Sequence, residues 1–297
     1  MRIEEEIKLD YSDVLFRPKR STLKSRKEVN LERTYRFKYS NNEWTGIPII
    51  ASNMDGIGEL EVANSLAKYK ILTALTKQHK LEKITKELRK EIIRISYIKK
   101  AHHIGSELSC IDILVILYFS IMNIKPSIKN KRFRDFFLLS KGHAALALYV
   151  VLCKKGFFSK EFLDQEFLVD GGILGGHPDY NPSLGIEFSS GSLGHGLSVG
   201  AGIALAKKRD NIPGNVYVLL GDGECNEGMI WEAIMFGSSF KLNNLTAIID
   251  YNNLQGLGKS NKIINLEPLD KKFKSFGWDA IKVDGHNFNE LKKALAK

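Results

Sequence analysis

The sequence predicts an α/β fold, a doubly wound and mostly parallel sheet. Three observations carry that prediction. Short β-branched runs occur at 216–220 and 245–250. The stretch from Gly228 to Lys241 between them has helical periodicity. Each run ends in a turn rich in glycine or asparagine, and in this fold class ligands sit at the carboxyl ends of strands.

Taken in order, the chain opens on a polar, irregular stretch. Ile47-Pro48-Ile49-Ile50-Ala51-Ser52 reads as a buried strand, followed by Asn53-Met54-Asp55 and a glycine turn. Leu60, Val62, Ala63, Leu66 and Ala67 fall at helical spacing, and Ile71-Leu72-Thr73-Ala74-Leu75 reads as a second strand. Strand, helix, strand is one crossover unit of a parallel sheet, and one such unit cannot bury both its faces alone. Residues 80–100 read as a long basic helix with Ile84, Leu88, Ile92, Ile93 and Ile95 on its apolar face. Ile111 to Met122 reads as an apolar helix. Glycine-rich turns then lead to the strand, helix and strand of 216–250. The chain divides into a piece over 1–79 and a larger one over 80–297.

The 297 residues suffice for one large or two ordinary domains, and 43% hydrophobic with 26% charged residues is ordinary for a soluble globular protein. The formal charge is +10, from 44 basic and 34 acidic residues. Much of the excess is scattered, as in Lys99-Lys100, Lys154-Lys155, Lys207-Lys208 and Lys271-Lys272, which reads as a solvated surface. A nucleic-acid footprint is a concentrated stripe on a recognisable module, so no nucleic-acid partner is expected. Anionic small substrates suit a basic protein. Cys110, Cys153 and Cys225 lie far apart and form no C-x-x-C pair, which argues against a disulfide framework or structural zinc and for a reducing, cytoplasmic setting. No apolar run is read as reaching a membrane span, and the acidic start MRIEEEIKLD is unlike a signal peptide.

The chemistry concentrates after the strand at 216. Gly221-Asp222-Gly223-Glu224 places a carboxylate between two glycines, which let the backbone turn and let a phosphate approach closely. The next strand ends in Asp250-Tyr251-Asn252-Asn253-Leu254. If the two strands are neighbours, Asp222 and Asn252 meet at one edge of the sheet. Asp222 then offers a carboxylate, Asn252 an amide oxygen and the chain beyond it a carbonyl, the oxygen ligands that Mg2+ prefers. A lone Gly-Asp-Gly is usually only a turn; the paired arrangement is the specific signal.

Gly221 to Asn253 resembles the thiamine diphosphate motif, and its neighbours resemble the transketolase family. His102-His103-Ile104-Gly105, Leu139-Ser140-Lys141-Gly142-His143-Ala144 and Gly176-His177-Pro178 are similar to that family's three histidine motifs. Ser190-Gly191-Ser192-Leu193-Gly194-His195-Gly196 resembles its glycine-rich cofactor loop, and Gly221 to Gly228 follows in the family's order. The resemblance covers residues 81–297. It implies that Asp222, Asn252 and the main-chain oxygen of Leu254 hold Mg2+, and that Gly223 N–H and His143 face the diphosphate. It implies that Gly191 and Leu193 contact the aminopyrimidine through backbone groups. His103 and His177 then face the sugar, binding hydroxyls and helping proton transfer. Glu227 would support the cofactor from beneath, and Cys225 would be a packed residue.

Two departures touch the motifs: His195 stands where the family usually has glutamine, and Ile104 where proline is usual. The third is larger. The family glutamate that activates the aminopyrimidine lies on a pyrimidine-binding domain, and this sequence reads as ending before it. A later family histidine near the thiazolium has no counterpart. The resemblance therefore implies a C-terminal partner subunit, in a dimer or heterotetramer, with sugar phosphates or related ketoses and aldoses as substrates, and no activity alone.

The first 79 residues resemble another family. Leu9 to Ser21, Pro48 to Asp55 and Thr73 to Lys77 are similar to GMP reductase, a relative of IMP dehydrogenase. That resemblance implies a truncated fragment of a (β/α)8 barrel, with Lys77 at a family lysine but without the catalytic cysteine loop. Three functions stay open at this point: a transketolase-type half-site, an NADPH-dependent GMP reductase fragment, and a non-catalytic fusion.

Overall fold

A computed structural model describes residues 29–37, 42–52, 60–74, 77–128 and 131–296. It divides into two compact units, Met1–Thr76 and Lys77–Lys297.

In the first unit, β1 (Arg33–Arg36) pairs antiparallel with β2 (Glu43–Ala51), and β3 (Ile71–Thr73) pairs parallel with β2 on its other side, after helix α1 (Leu60–Ala67). The crossover expected from the sequence is present. The antiparallel β1 was hidden in a polar stretch; Thr34 and Thr45 share a hydroxyl hydrogen bond of 2.8 Å, and Tyr35 stacks with Trp44. Ile49 and Ile50 are 55% and 65% exposed, which corrects the reading of a buried strand. Among the described residues of this unit, a single helix has too little surface to cover both faces of three strands. The GMP reductase-like residues 9–21, 53–55, 75 and 76, and the side chain of Lys77, lie outside the described residues.

In the second unit, the parallel sheet runs in the order β4 (Phe136–Leu139), β5 (Val216–Gly221), β6 (Leu245–Asp250). Alternate side chains point to opposite faces of a strand. Phe137, Leu139, Tyr217 and Leu219 therefore enter one core, and Leu138, Val216, Val218 and Leu220 enter another. The first core is covered by α2 (Lys77–Lys99), α3 (Ile104–Ile116), α4 (Ala145–Lys155) and α10 (Phe288–Leu295). The second is covered by α6 (His195–Arg209), α7 (Gly228–Ser239) and α9 (Leu269–Ser275). With helices on both faces, the sheet is doubly wound. The short helices α5 (Lys160–Glu166) and α8 (Ser260–Ile263) and the hairpin β7 (Leu254–Gln255) and β8 (Gly258–Lys259) complete the unit.

Three sequence readings need correction here. On α2, Leu81, Ile84, Leu88, Ile92 and Ile95 are buried, but Ile93 is half-exposed. Residue 93 sits about 100° round the helix from Ile92, off the stripe. The apolar helix begins at Ile104, not Ile111, and runs on through a π-helical turn at Leu117–Ile121. That whole stretch, Ile104–Ile121, is long and apolar enough by length and composition to cross a membrane. Most of it is buried against α2, α4 and α10, which makes it the central core helix of this unit.

Candidate active site

The three strands of the parallel sheet end together. Leu139 lies opposite Leu219, and Gly221 lies opposite Asp250. The residues that follow these ends therefore share one edge of the sheet: Ser140 to His143 after β4, Asp222 to Glu224 after β5, and Tyr251 to Leu254 after β6.

The three candidate histidines converge from separate segments. His103 is the N-cap of α3, His143 lies in the 3-10 turn Gly142–Ala144, and His177 lies in the loop before α6. The His103 ring centroid is 5.5 Å from that of His143 and 6.1 Å from that of His177, both edge-on. Burial, with Lys141, His103 and His177 adding positive potential, pushes the His143 imidazole down to about 4, while Asp250 pulls it the other way. Partial burial, with His177 and His102 close by, also lowers His103. The site thus holds two imidazoles in the neutral form near pH 7, able to donate from one nitrogen and accept at the other.

Gly191 lies against His177: a side chain on it would touch that ring at 3.8 Å. Leu193 places its carbonyl 3.1 Å from His195 Nδ1. Gly194 has φ +88°, a left-handed turn that glycine adopts freely, and this brings the loop into α6. The loop packs so closely that a Cβ on Gly142 would lie 2.5 Å from Ser190 Oγ, and one on Gly196 would lie 2.4 Å from Ser140.

Asp222 is buried. Its Oδ1 accepts from Gly223 N–H at 2.9 Å and its Oδ2 from the Ser260 hydroxyl at 2.8 Å. Asn252 Oδ1 accepts from Leu254 N–H at 2.9 Å, and Asn253 takes φ 61°, a left-handed conformation that asparagine tolerates. This is the physical use of the paired asparagines: one side chain caps the turn and the next residue makes it. Leu254 itself opens the β7–β8 hairpin. The structure thus brings Asp222 and Asn252 to neighbouring strand ends, with Asp222 held by Gly223 and Ser260 and Asn252 by Leu254. Among the described residues, no group of three or more His, Cys, Asp or Glu side chains gathers to hold a metal.

The sequence reading missed two buried carboxylates beneath this edge. Glu224 ties the segments together: it accepts from the Ser140 hydroxyl, from Gly194 N–H at 2.9 Å and from Gly221 N–H at 3.0 Å. Burial raises its carboxyl above the ordinary range, against those hydrogen bonds. Asp250 is paired with Lys141 and accepts from the Ser109 hydroxyl at 2.7 Å. For Asp250 the available signal was a charged residue closing a strand; Glu224 stands in the 3-10 turn three residues past the end of β5, within the Gly-Asp-Gly-Glu motif itself. Four buried polar atoms on these segments have no partner: Ser106 Oγ, Ser190 Oγ, Asn226 Oδ1 and Gln255 Nε2. Such atoms are rare in folded proteins and mark places where a water, ion or ligand belongs.

Residues 82–297 match the family model described as transketolase, thiamine diphosphate binding domain. The chain is 46% identical over 213 residues to one subunit of the apulose-4-phosphate transketolase of Phocaeicola vulgatus, covering 71% of this chain and 74% of that protein. It is 40% identical over 218 residues to the 6-deoxy-6-sulfo-D-fructose transketolase subunit SqwG of Clostridium sp., covering 73% and 78%. The crystal structure of Campylobacter jejuni transketolase superposes with a TM-score of 0.67 at 29% identity, over 72% of this chain and 35% of that one. The chain thus spans about three quarters of the subunit proteins and about a third of that transketolase. Through residues 82–297, the chain belongs to the transketolase N-terminal, thiamine diphosphate-binding family.

Proposed function

We propose that the chain is one half of a transketolase-type active site, which moves a two-carbon ketol unit between sugars with thiamine diphosphate and Mg2+. The observation that carries this reading is the meeting of His103, His143 and His177 at the sheet edge that also presents the buried Asp222 carboxylate.

The residues present fit both groups. Asp222, Asn252 and the Leu254 carbonyl are oxygen donors suited to a hard cation. Asp222 Oδ2 and Asn252 Oδ1 each keep a lone pair free beside the hydrogen bond to Ser260 or to Leu254 N–H. Gln255 packs where a Cβ on Gly223 would lie, 2.9 Å from its own Cβ, and its unpartnered Nε2 is a donor for an anion beside the Gly223 backbone. When bound, thiamine diphosphate supplies the carbanion that breaks and makes the carbon–carbon bond. The chain's own residues do the rest. Asp222, Asn252 and Leu254 hold the metal. Gly223 N–H and neutral His143 donate to the diphosphate. Backbone groups of Gly191 and Leu193 orient the aminopyrimidine. His103 and His177 bind sugar hydroxyls and exchange protons with them.

A pyrimidine-binding subunit completes the site in a dimer or heterotetramer, a reading supported by relatives that are themselves called subunits. The names of those relatives carry a phosphate and a sulfo group. A ketose with an anionic end group is the substrate class proposed for this chain, and its net charge of +10 suits that class. For the first unit, the β2–α1–β3 crossover supports a barrel-derived remnant without GMP reductase activity of its own.

Calorimetric titration of thiamine diphosphate with Mg2+, in the presence of the partner subunit, tests the reading. Binding is expected for the wild type, and Asp222→Ala is expected to weaken it by at least about a hundredfold, more than loss of a residue that merely supports a ligand. Tight binding retained in that variant overturns the ligand assignment. NADPH-dependent deamination of GMP by the chain would instead favour the oxidoreductase alternative.

A further inference from the structure

One buried ion pair lies beneath the site and no step above uses it. Lys141 and Asp250 pair with side chains only 1% and 7% exposed. Burying two charges costs more than such a pair generally returns, and apolar residues of like volume often fold as well. Stability alone therefore gives a weak reason for these two residues to be charged. Geometry gives a stronger one. Asp250 closes β6, and its Oδ2 faces Lys141 Nζ and, at 3.5 Å, the side-chain amide of Asn252. Its Oδ1 accepts from the hydroxyl of Ser109 on α3 at 2.7 Å. Lys141 in turn reaches the Ser106 carbonyl on α3 at 3.4 Å.

These contacts lead to three site residues on three segments. Helix α3 carries His103 at its N-cap, Lys141 stands two residues before His143, and Asn252 stands two residues beyond Asp250. We propose that Asp250 is a positioning residue, whose carboxylate sets His103, His143 and Asn252 relative to one another without touching cofactor or substrate. The proposal rests on the functional reading above. A carboxylate suits the task because it accepts several hydrogen bonds in fixed directions. Lys141 supplies the counter-charge to this buried carboxylate.

The test uses the full chain with ring-15N-labelled histidine. Asp250→Asn alone would strand a buried lysine charge, so the main variant is Lys141→Met combined with Asp250→Asn, which removes both charges at similar volume. Ser109→Ala is the second variant and cuts only the tether to α3. The double variant is expected to fold, to shift or broaden the ring signals of both His103 and His143, and to lose roughly tenfold to a hundredfold in Mg2+-dependent thiamine diphosphate affinity with the partner subunit present. Ser109→Ala is expected to move the His103 signal and leave that of His143 in place. A folded double variant with both ring signals and affinity at wild-type values overturns the proposal. Should the double variant fail to fold, an unchanged His103 signal in Ser109→Ala overturns it instead. A wild type that binds no thiamine diphosphate defeats the functional reading, while the ring signals of the two variants still decide whether Asp250 positions the histidines.

Discussion

His143 is held neutral well below the pH at which a free imidazole takes up a proton. Its pKa of about 4 against an ordinary 6.5 has a thermodynamic consequence. Between those values the unfolded chain binds a proton that the folded chain refuses, so stability falls as pH falls from 6.5 towards 4. The expected loss is on the order of 2 kcal/mol, after discounting for the ring's partial exposure. His143→Gln cannot titrate and is expected to flatten that part of the profile. Urea unfolding at a series of pH values measures it, and an unchanged slope in the variant would assign the pH dependence to other groups. His103, also lowered, acts in the same direction. Cys225 was read as packed, and burial raises its thiol to about 12, far from a nucleophile's range. Residue types and their chemistry were thus legible in the motifs. The roles of Glu224 and Asp250 were not, because a carboxylate's partners are set by what folds against it.

At the scale of elements, the approach of α6 to the sheet decides how near the glycine-rich loop comes to β4 and β5. Gly200 faces Val218, and a Cβ on it would lie 2.5 Å from Val218 Cγ2, an atom fixed in a fully buried strand. Gly200→Ala gains up to about 1 kcal/mol of helix propensity but overpacks this contact at a cost of about 1–3 kcal/mol. The clash is expected to win, with a net loss of about 1–2 kcal/mol. Gly202 lies on the exposed side of the same helix with nothing within 4 Å, so Gly202→Ala is expected to stabilise, by up to about 1 kcal/mol. Thermal unfolding of the two variants gives the signs, and two changes of the same sign would mean that helix propensity or packing alone governs both sites. The strands at 216 and 245 and the helix between them were readable because their apolar periodicity is long and uninterrupted. Strand β4 went unread because four apolar residues, Phe136 to Leu139, are too short a run to separate strand from helix by periodicity.

For the whole molecule, residues 77–297 hold two cores of their own, one on each face of the β4–β5–β6 sheet. A fragment of 77–297 is therefore expected to unfold cooperatively, with a Tm within about 3 °C of the full chain's corresponding transition. Loss of cooperativity on truncation would show that these cores depend on the first unit. The sequence divides at 79/80, where the motifs of the second piece begin after the first strand–helix–strand has closed, while the two compact units divide at Thr76 and Lys77. Sequence by itself determined the family of residues 82–297, the donor types available to a cation and a diphosphate, and the turns that present them. Those properties reside in single residues and their immediate neighbours. Only the tertiary structure decided that His103, His143 and His177 meet, and that Lys141 and Ser140 reach two buried carboxylates, Asp250 at the end of β6 and Glu224 in the turn after β5. Such meetings depend on strand order and register, which join residues far apart in the chain and leave no local pattern to read.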